Sequence, residues 1–404
     1  MQYILVSSIV LSNTIWVKSS SISISQGKLI VIFSTMCCML CIINFIYLNG
    51  AIIKKSLLTK IILVAVNSMV SAIVLKNDMV TYILYFVFPL LLCILYLGLE
   101  KNVVELWKKL SNVVVVLSII SLVFYLLGTI LKALPPTSVT NYTWTWELQC
   151  KNWYNMYYEA YYGRTSMFSF LPRKNTGIYT EPPMFMIMVC LALAGEFAFV
   201  EKPRKFIIST LLITLITIMS TTGYIFVILC ILLYILRLES GKRSIALRIL
   251  IFPLLCLIGG VVVLEIMNTK IGTASGENSV FIRSDHLLTA YRLWIEKPIL
   301  GIGYGQSELF LKSSVYHQGA SVGLPLFLAY AGIWGMLLYL IPFIKSLYMS
   351  IRFNLKFIYF VLGTFTLLFL TSVNYLPIMI IVLGMLITYE RTDEKIIEDE
   401  KICA

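Results

Sequence analysis

The sequence predicts an all-α polytopic integral membrane protein, with about twelve transmembrane helices and two large extracytoplasmic loops. Three observations carry this. The 404 residues are 59% hydrophobic and 13% charged, with a mean hydropathy of +0.89, whereas average soluble domains are about 25% charged. Apolar runs near the length that crosses the hydrocarbon recur along the whole chain. Lysine and arginine concentrate in every second connection between those runs, the bias that marks cytoplasmic loops.

The first run, about 1–17, has no basic leader and no small-residue cleavage site, so it reads as a first span and not a removed signal peptide. Runs at about 29–48, 57–75, 79–99 and 112–131 complete an N-terminal block of five helices, 1–131. A polar loop, 132–182, leads to helices six to nine in 183–264, at about 183–200, 206–220, 223–236 and 245–264. The middle pair is short for two spans, and one long bent helix is the alternative. A second polar loop, 265–322, precedes helices ten to twelve in 323–389, at about 323–344, 357–371 and 375–389. Residues 390–404 form a charged tail.

Alternate connections carry Lys54, Lys55 and Lys60; Lys101, Lys108 and Lys109; Lys202, Arg204 and Lys205; Arg237, Lys242, Arg243 and Arg248; and Lys345, Arg352 and Lys356. The opposite short connections carry only Lys18, Lys28 and Lys76. Both termini and the tail are therefore expected in the cytoplasm, and both large loops outside. The net charge of +12 is accounted for by this topology signal, so nucleic acid is not an expected partner. Of nine cysteines only Cys150 falls in a large polar loop, and no Cys/His spacing resembles a zinc site. The loops contain no Asp-x-Asp pair, so neither a metal nor another cofactor is expected.

The first loop is aromatic: nine of the 22 residues in 141–162 are Trp or Tyr. An amphipathic interfacial helix explains that composition, and so does a platform on which sugar rings stack, with Trp144, Trp146 and Trp153 as its candidates. Its end carries Arg164, Arg173 and Lys174 ahead of Glu181-Pro182-Pro183. Proline and an acidic residue are ordinary at a helix start. The arginines suit either headgroup anchoring or a phosphate ligand, whose oxygens the guanidinium fork matches.

In the second loop, 283–296 reads as a short helix stopped by Pro298. Arg283 and Arg292 are nine residues apart, about 2.5 turns, and so fall on different faces. Gly301, Gly303 and Gly305 permit close backbone approach, but without a strand–helix unit they make no dinucleotide site. His317 is a candidate base, because a neutral imidazole accepts a proton near pH 7; a surface histidine is the alternative.

These motifs resemble those of Wzy-type O-antigen and capsular polysaccharide polymerases. Residues 173–183 look like that family's Arg-x-x-x-Gly-x-x-x-Glu-Pro segment. Arg283, Trp294 and the run 298–305 look like the Arg…Trp…Pro-x-x-Gly-x-Gly-x-Gly signature shared with O-antigen ligases. His317-Gln318 stands where the superfamily commonly has His-Asn, followed by Ala331-Gly332-Ile333-Trp334-Gly335. Met219-Ser220-Thr221-Thr222-Gly223 resembles its Ser-Arg-Thr-Gly element, with Thr221 in place of the arginine. The likeness spans about residues 164–390.

The resemblance implies a metal-independent glycosyltransferase with a GT-C-like architecture. It would join undecaprenyl-pyrophosphate-linked repeat units at the outer face of the bacterial cytoplasmic membrane. It implies Arg173, Arg283 and Arg292, with Arg164, as pyrophosphate ligands, and His317 as the base. Membrane lipid and a chain-length regulator protein are the implied partners. An O-antigen ligase, which transfers polymer to lipid A core, shares the motifs. A lipid-linked oligosaccharide flippase or another transporter is the alternative of a different class; the absence of internal repeats weakens it.

Overall fold

Leucine-, isoleucine- and valine-rich runs with no water to satisfy their backbone must close every hydrogen bond within themselves, and the α-helix does so. The computed structural model accordingly is mostly helical. It describes residues 1–19, 25–47, 54–73, 79–100, 103–143, 147–160, 173–237, 274–303, 306–316, 322–353, 356–370 and 377–389. Helices α1 (Gln2–Val10), α2 (Gln26–Tyr47), α3 (Lys55–Ile73), α4 (Met79–Leu99) and α5 (Val103–Ile130) precede the first large loop. After it come α6 (Pro182–Phe199), α7 (Lys205–Ile218) and α8 (Thr221–Arg237). The remainder comprises α9 (Ala274–Glu296), α10 (Ser307–Ser313), α11 (Leu324–Phe353), α12 (Phe357–Leu370) and α13 (Pro377–Thr388). Among the described residues six helices, α2 to α6 and α11, are long and apolar enough to cross a membrane, and α7, α8, α12 and α13 are shorter apolar helices. The run expected at 245–264 and the tail 390–404 lie outside the described residues.

The first run is not one straight helix. It breaks at Thr14, whose extended backbone (φ −88°, ψ 163°) pairs as an isolated bridge with Tyr179. The short pair resolves into two helices, α7 and α8, parted at Met219, which sits in the left-handed region at φ 52°.

α6 is the centre. Within it 78% of the span is buried, against 28% for α3, and a helix apolar on all sides belongs in a core. Its polar exception, Glu196, is 0% exposed. It is held by Arg204, whose Nε lies 3.2 Å from Oε2 and whose Nη1 donates to Asn112 at 2.7 Å. A charged group this deep needs such a partner. Arg204 also reaches the Lys108 carbonyl. Lys109 meets Gln2, and Gln2 meets Glu100. These polar contacts gather at the N-terminal end of α5, and the first large loop gathers at its other end.

That loop departs from the all-α expectation. The tract expected as an interfacial helix instead forms a three-stranded antiparallel sheet of β1 (Ser138–Thr143), β2 (Glu147–Trp153) and β3 (Tyr157–Ala160). Alternation explains it. Tyr142, Cys150 and Tyr158 cluster with Ile15, while Trp153 and Tyr157 cluster with Tyr125 and Met219. The last turns of α5 widen into a π-helix, Tyr125–Ile130, where they meet that second face.

The second loop is clasped to a broken helix. Inside α11, Gly332 has φ 62° and ψ −168°, a region essentially reserved for glycine. The break frees backbone groups that the 298–303 run takes up. Ile333 and Trp334 N–H donate to the Pro298 and Ile299 carbonyls at 2.9 and 3.0 Å, and Ile302 and Gly303 N–H donate to Ala329 and Tyr330 at 3.0 and 2.9 Å. A Cβ on Gly332 would sit 2.3 Å from the Ile299 oxygen, and one on Gly301 2.4 Å from Tyr330 backbone. Gly332→Ala should therefore lower stability by more than the ~1–3 kcal/mol of strained backbone alone. Thermal unfolding in detergent checks this, with Gly195→Ala, whose Cβ would meet nothing nearer than 3.3 Å, as the milder comparison.

Candidate functional site

The stretch 173–181 crosses the end of the bundle between the sheet and α6. It is not helical, so its backbone and side-chain polar groups must find other partners. Asn175 supplies most of them. Its N–H donates to the Thr217 carbonyl at 3.0 Å, and its amide donates to Thr217 Oγ1 at 3.0 Å. Its oxygen accepts from Ser121 and from Gly177 N–H. Gly177 at φ 57° makes the turn; its carbonyl accepts from Tyr158 N–H at 2.9 Å, and Ile178's from Ile15 N–H at 2.9 Å. Asn175, Thr176, Ile178, Tyr179 and Thr180 are all buried. The segment is a rigid mount with a charged group near each end.

At the first end is Arg173. Its Nη1 lies 2.6 Å from Glu159 Oε1, and its carbonyl accepts the Tyr125 hydroxyl at 2.6 Å. Glu159 is 3% exposed and also faces Lys151 Nζ at 3.3 Å, its cross-strand partner. Its second oxygen accepts from Thr129 Oγ1 at 2.7 Å, and Tyr157 lies 3.0 Å from that hydroxyl. Each carboxylate oxygen is thus satisfied, and the guanidinium is oriented while its side chain stays 24% exposed.

At the second end Glu181 is the residue before α6, and it makes no side-chain cap hydrogen bond. Arg283 of α9 lies within electrostatic reach of it, without forming an ion-pair contact. Burial pushes the Glu181 carboxyl above its ordinary value, and the Arg283 guanidinium pulls it back. Burial likewise pushes Arg283 down, and Glu181 raises it. Lys174 is pushed down by burial as well. All three side chains are nevertheless partly exposed. Thr180 Oγ1, adjoining Glu181, is buried without a hydrogen-bond partner among the described residues.

α9 runs continuously from 274 to 296, further N-terminally than the sequence predicted. His286, Thr289, Ala290 and Leu293 form its buried stripe, and burial pushes the His286 imidazole down against the opposing pull of Asp285. Phe281, Leu288, Tyr291 and Ile295 are exposed. Arg292 lies on that exposed side, about 13 Å along the axis from Arg283, so the helix parts the two arginines. An exposed arginine among apolar side chains has the make-up of an interfacial anchor. Asp285 Oδ2 accepts the N–H groups of Val315 and Tyr316 at 2.9 and 3.3 Å, which ties the chain immediately before His317 to the turn of α9 that carries Arg283.

The predicted residues therefore divide. Arg173 begins the 173–181 mount, Arg283 lies within electrostatic reach of Glu181 at its other end, and Arg292 is exposed. Trp153 is 1% exposed, donates to the Leu134 carbonyl at 3.0 Å and packs over Gly128, whose Cβ would fall 2.9 Å from its ring. It braces the sheet on α5 and offers no open face to a sugar. Trp144, Trp146, Arg164 and His317 lie outside the described residues. Gly301 and Gly303 meet α11, not a ligand. Glu159, Lys151 and Asn175 had been given no role from sequence, although Lys151-x-Trp153 and Tyr157-x-Glu159 flanking a short Asn-containing turn carry the hairpin period that pairs Lys151 with Glu159. Among the described residues no group of three or more His, Cys, Asp or Glu is placed to hold a metal ion. Comparison with known protein families, with curated proteins and with solved structures finds no match.

Two outcomes follow. Glu159→Ala leaves Arg173 and Lys151 without their counter-charge and should cost roughly 3 kcal/mol in thermal unfolding, in the range for breaking a buried pair; Glu159→Gln, which keeps the Thr129 hydrogen bond, should cost less. A carboxyl raised on folding binds its proton more tightly in the folded state, so it favours folding below the ordinary carboxylate pKa and that stability is lost as pH rises toward the raised value. Glu181→Gln should flatten the pH dependence of unfolding across that window, and an unchanged slope would show that Glu181 is not desolvated.

Proposed function

We propose that this chain is a polysaccharide polymerase of the Wzy type, a GT-C-like glycosyltransferase of about twelve spans in the bacterial cytoplasmic membrane. On this proposal it joins undecaprenyl-pyrophosphate-linked oligosaccharide repeat units at the outer face, for O-antigen or capsule. The observation that supports the proposal is that Arg283 of the second loop lies within electrostatic reach of Glu181 of the first. Residues about a hundred positions apart, one from each large loop, are close enough at the entry of α6 for their charges to interact. Two of the motifs quoted above adjoin each other, since Met219 packs against Trp153 and Tyr157 and Thr217, just before it, holds Asn175.

The chemistry fits the residues. The acceptor hydroxyl oxygen attacks the anomeric carbon of the donor sugar, and the bond from that carbon to the pyrophosphate oxygen breaks. The electron pair leaves with undecaprenyl pyrophosphate, and His317 takes the hydroxyl proton. Attack opposite the leaving group inverts the anomeric centre. Arg283 meets the charge that develops on the leaving pyrophosphate, and preorganised donors of this kind are worth about 2.7–4 kcal/mol each. Arg173, already oriented by Glu159, is the second such donor, and Arg164 belongs to the same role. Arg292, on the exposed side of α9, anchors the helix at the interface. Trp144 and Trp146 remain the sugar-stacking candidates, and a chain-length regulator is the proposed protein partner.

The O-antigen ligase reading uses the same residues on a different acceptor. Glycan profiles separate the two, because a polymerase defect leaves single repeats attached whereas a ligase defect leaves none. Arg283→Ala and His317→Ala should each abolish long-chain polymer by at least ~100-fold while the protein still reaches the membrane. Normal polymer from both variants would remove the site assignment.

A further inference from the structure

The sheet face that carries Trp153 changes character along its length. Trp153 and Tyr157 pair across β2 and β3 and are 1 and 0% exposed. The next pair on that face is Lys151 with Glu159, since alternate residues of a strand share a side. Beyond it Gln149 and Asn141, partners across β1 and β2, are exposed. Lys151 and Glu159 thus stand where a buried surface opens to water.

Two cations share one oxygen of that carboxylate. Arg173 Nη1 is 2.6 Å and Lys151 Nζ 3.3 Å from Oε1, while Oε2 accepts from Thr129. The ammonium and the guanidinium therefore lie within two hydrogen-bond lengths of each other, with a single negative charge between them. Their side chains are 34 and 24% exposed, against 4% for Glu159. Arg173 spends one of its five N–H donors on Glu159, and Lys151 makes an ion pair but no hydrogen bond; their other donors meet no acceptor among the described residues. The sequence leading into Arg173 does not correct the imbalance, because 161–172 contain Arg164 and no Asp or Glu, and Lys174 follows. As a cross-strand ion pair alone, Lys151 would add little to the sheet, because Arg173 and Thr129 already satisfy the carboxylate.

We propose that Lys151 and Arg173 together form a binding site for a pyrophosphate-type anion, each cation taking an oxygen of the group while Glu159 holds the two in place. This deepens the reading above, in which Arg173 alone of this cluster meets the pyrophosphate, and rests on it for the lipid that carries the group. A planar fork together with a compact ammonium of three rotatable donors matches the several oxygens of a phosphate. The bound anion offsets the unbalanced positive charge, and Lys151 becomes a ligand from the sheet beside one from the 173–181 mount.

The test titrates the full chain in detergent with inorganic pyrophosphate and with farnesyl pyrophosphate, reading binding by calorimetry. Lys151→Gln should weaken both by about ten-fold, and Lys151→Arg should keep most of the affinity. Lys312→Gln, which removes an exposed lysine of the second loop, should change neither. Tighter binding of farnesyl pyrophosphate assigns the anion to a lipid, and tighter binding of inorganic pyrophosphate to a free anion; either upholds the two-cation site. Affinity unchanged in Lys151→Gln, or lost equally in Lys312→Gln, would overturn it, as would no binding by the unaltered chain at millimolar anion. Arg173 keeps its pair with Glu159 in Lys151→Gln, so the melting temperature should hold; if that variant does not fold, Lys151→Met takes its place. The readout is anion binding, so a failure to elongate a glycan would remove the polymerase reading and leave this site standing.

Discussion

A carboxylate at 3% exposure cannot stay charged without partners, and Glu159 meets that constraint by drawing three parts of the molecule together. Lys151 comes from the neighbouring strand, Arg173 from the buried mount, and Thr129 from the widened end of α5. Such a pair need not add net stability, because desolvation offsets much of the Coulomb attraction. What it does add is direction. The guanidinium has Nη1 committed to Glu159, while the side chain stays 24% exposed.

The second loop is located by a different means. A helix is broken at Gly332, and the backbone groups released are satisfied by the 298–303 run. This accounts for two glycine-containing motifs at once, since each glycine is required by the other's close approach. It also places α9 relative to the bundle, and with it Arg283. Asp285 then fastens Tyr316 to the same helix. Each loop is thus fixed to the bundle by its own device, one electrostatic and one of backbone hydrogen bonding.

Much of this was legible in the sequence, and the failures have physical causes. Hydropathy reports what the bilayer demands, so the long apolar helices were readable, and Pro298 did mark the stop of α9. The first run misled because apolarity does not reveal the Thr14 bridge to Tyr179, a contact across about 165 residues. The aromatic tract misled because Trp and Tyr suit an interfacial helix as well as a strand; the decisive signal was its period of two, masked by turns. Trp153 looked like a platform on composition, and Gly128 opposite it turned it into a brace. Arg283 and Arg292 were separable from spacing alone, but that Arg283 comes within electrostatic reach of Glu181 required the fold.

The central claim is that this assembly elongates a lipid-linked glycan. The most direct measurement is incubation of the purified protein with a defined undecaprenyl-pyrophosphate-linked repeat unit, with and without a chelator. The account predicts a ladder of products spaced by one repeat unit, equally strong in both conditions. No elongation, with transfer of preformed polymer to a lipid A core acceptor instead, would contradict it.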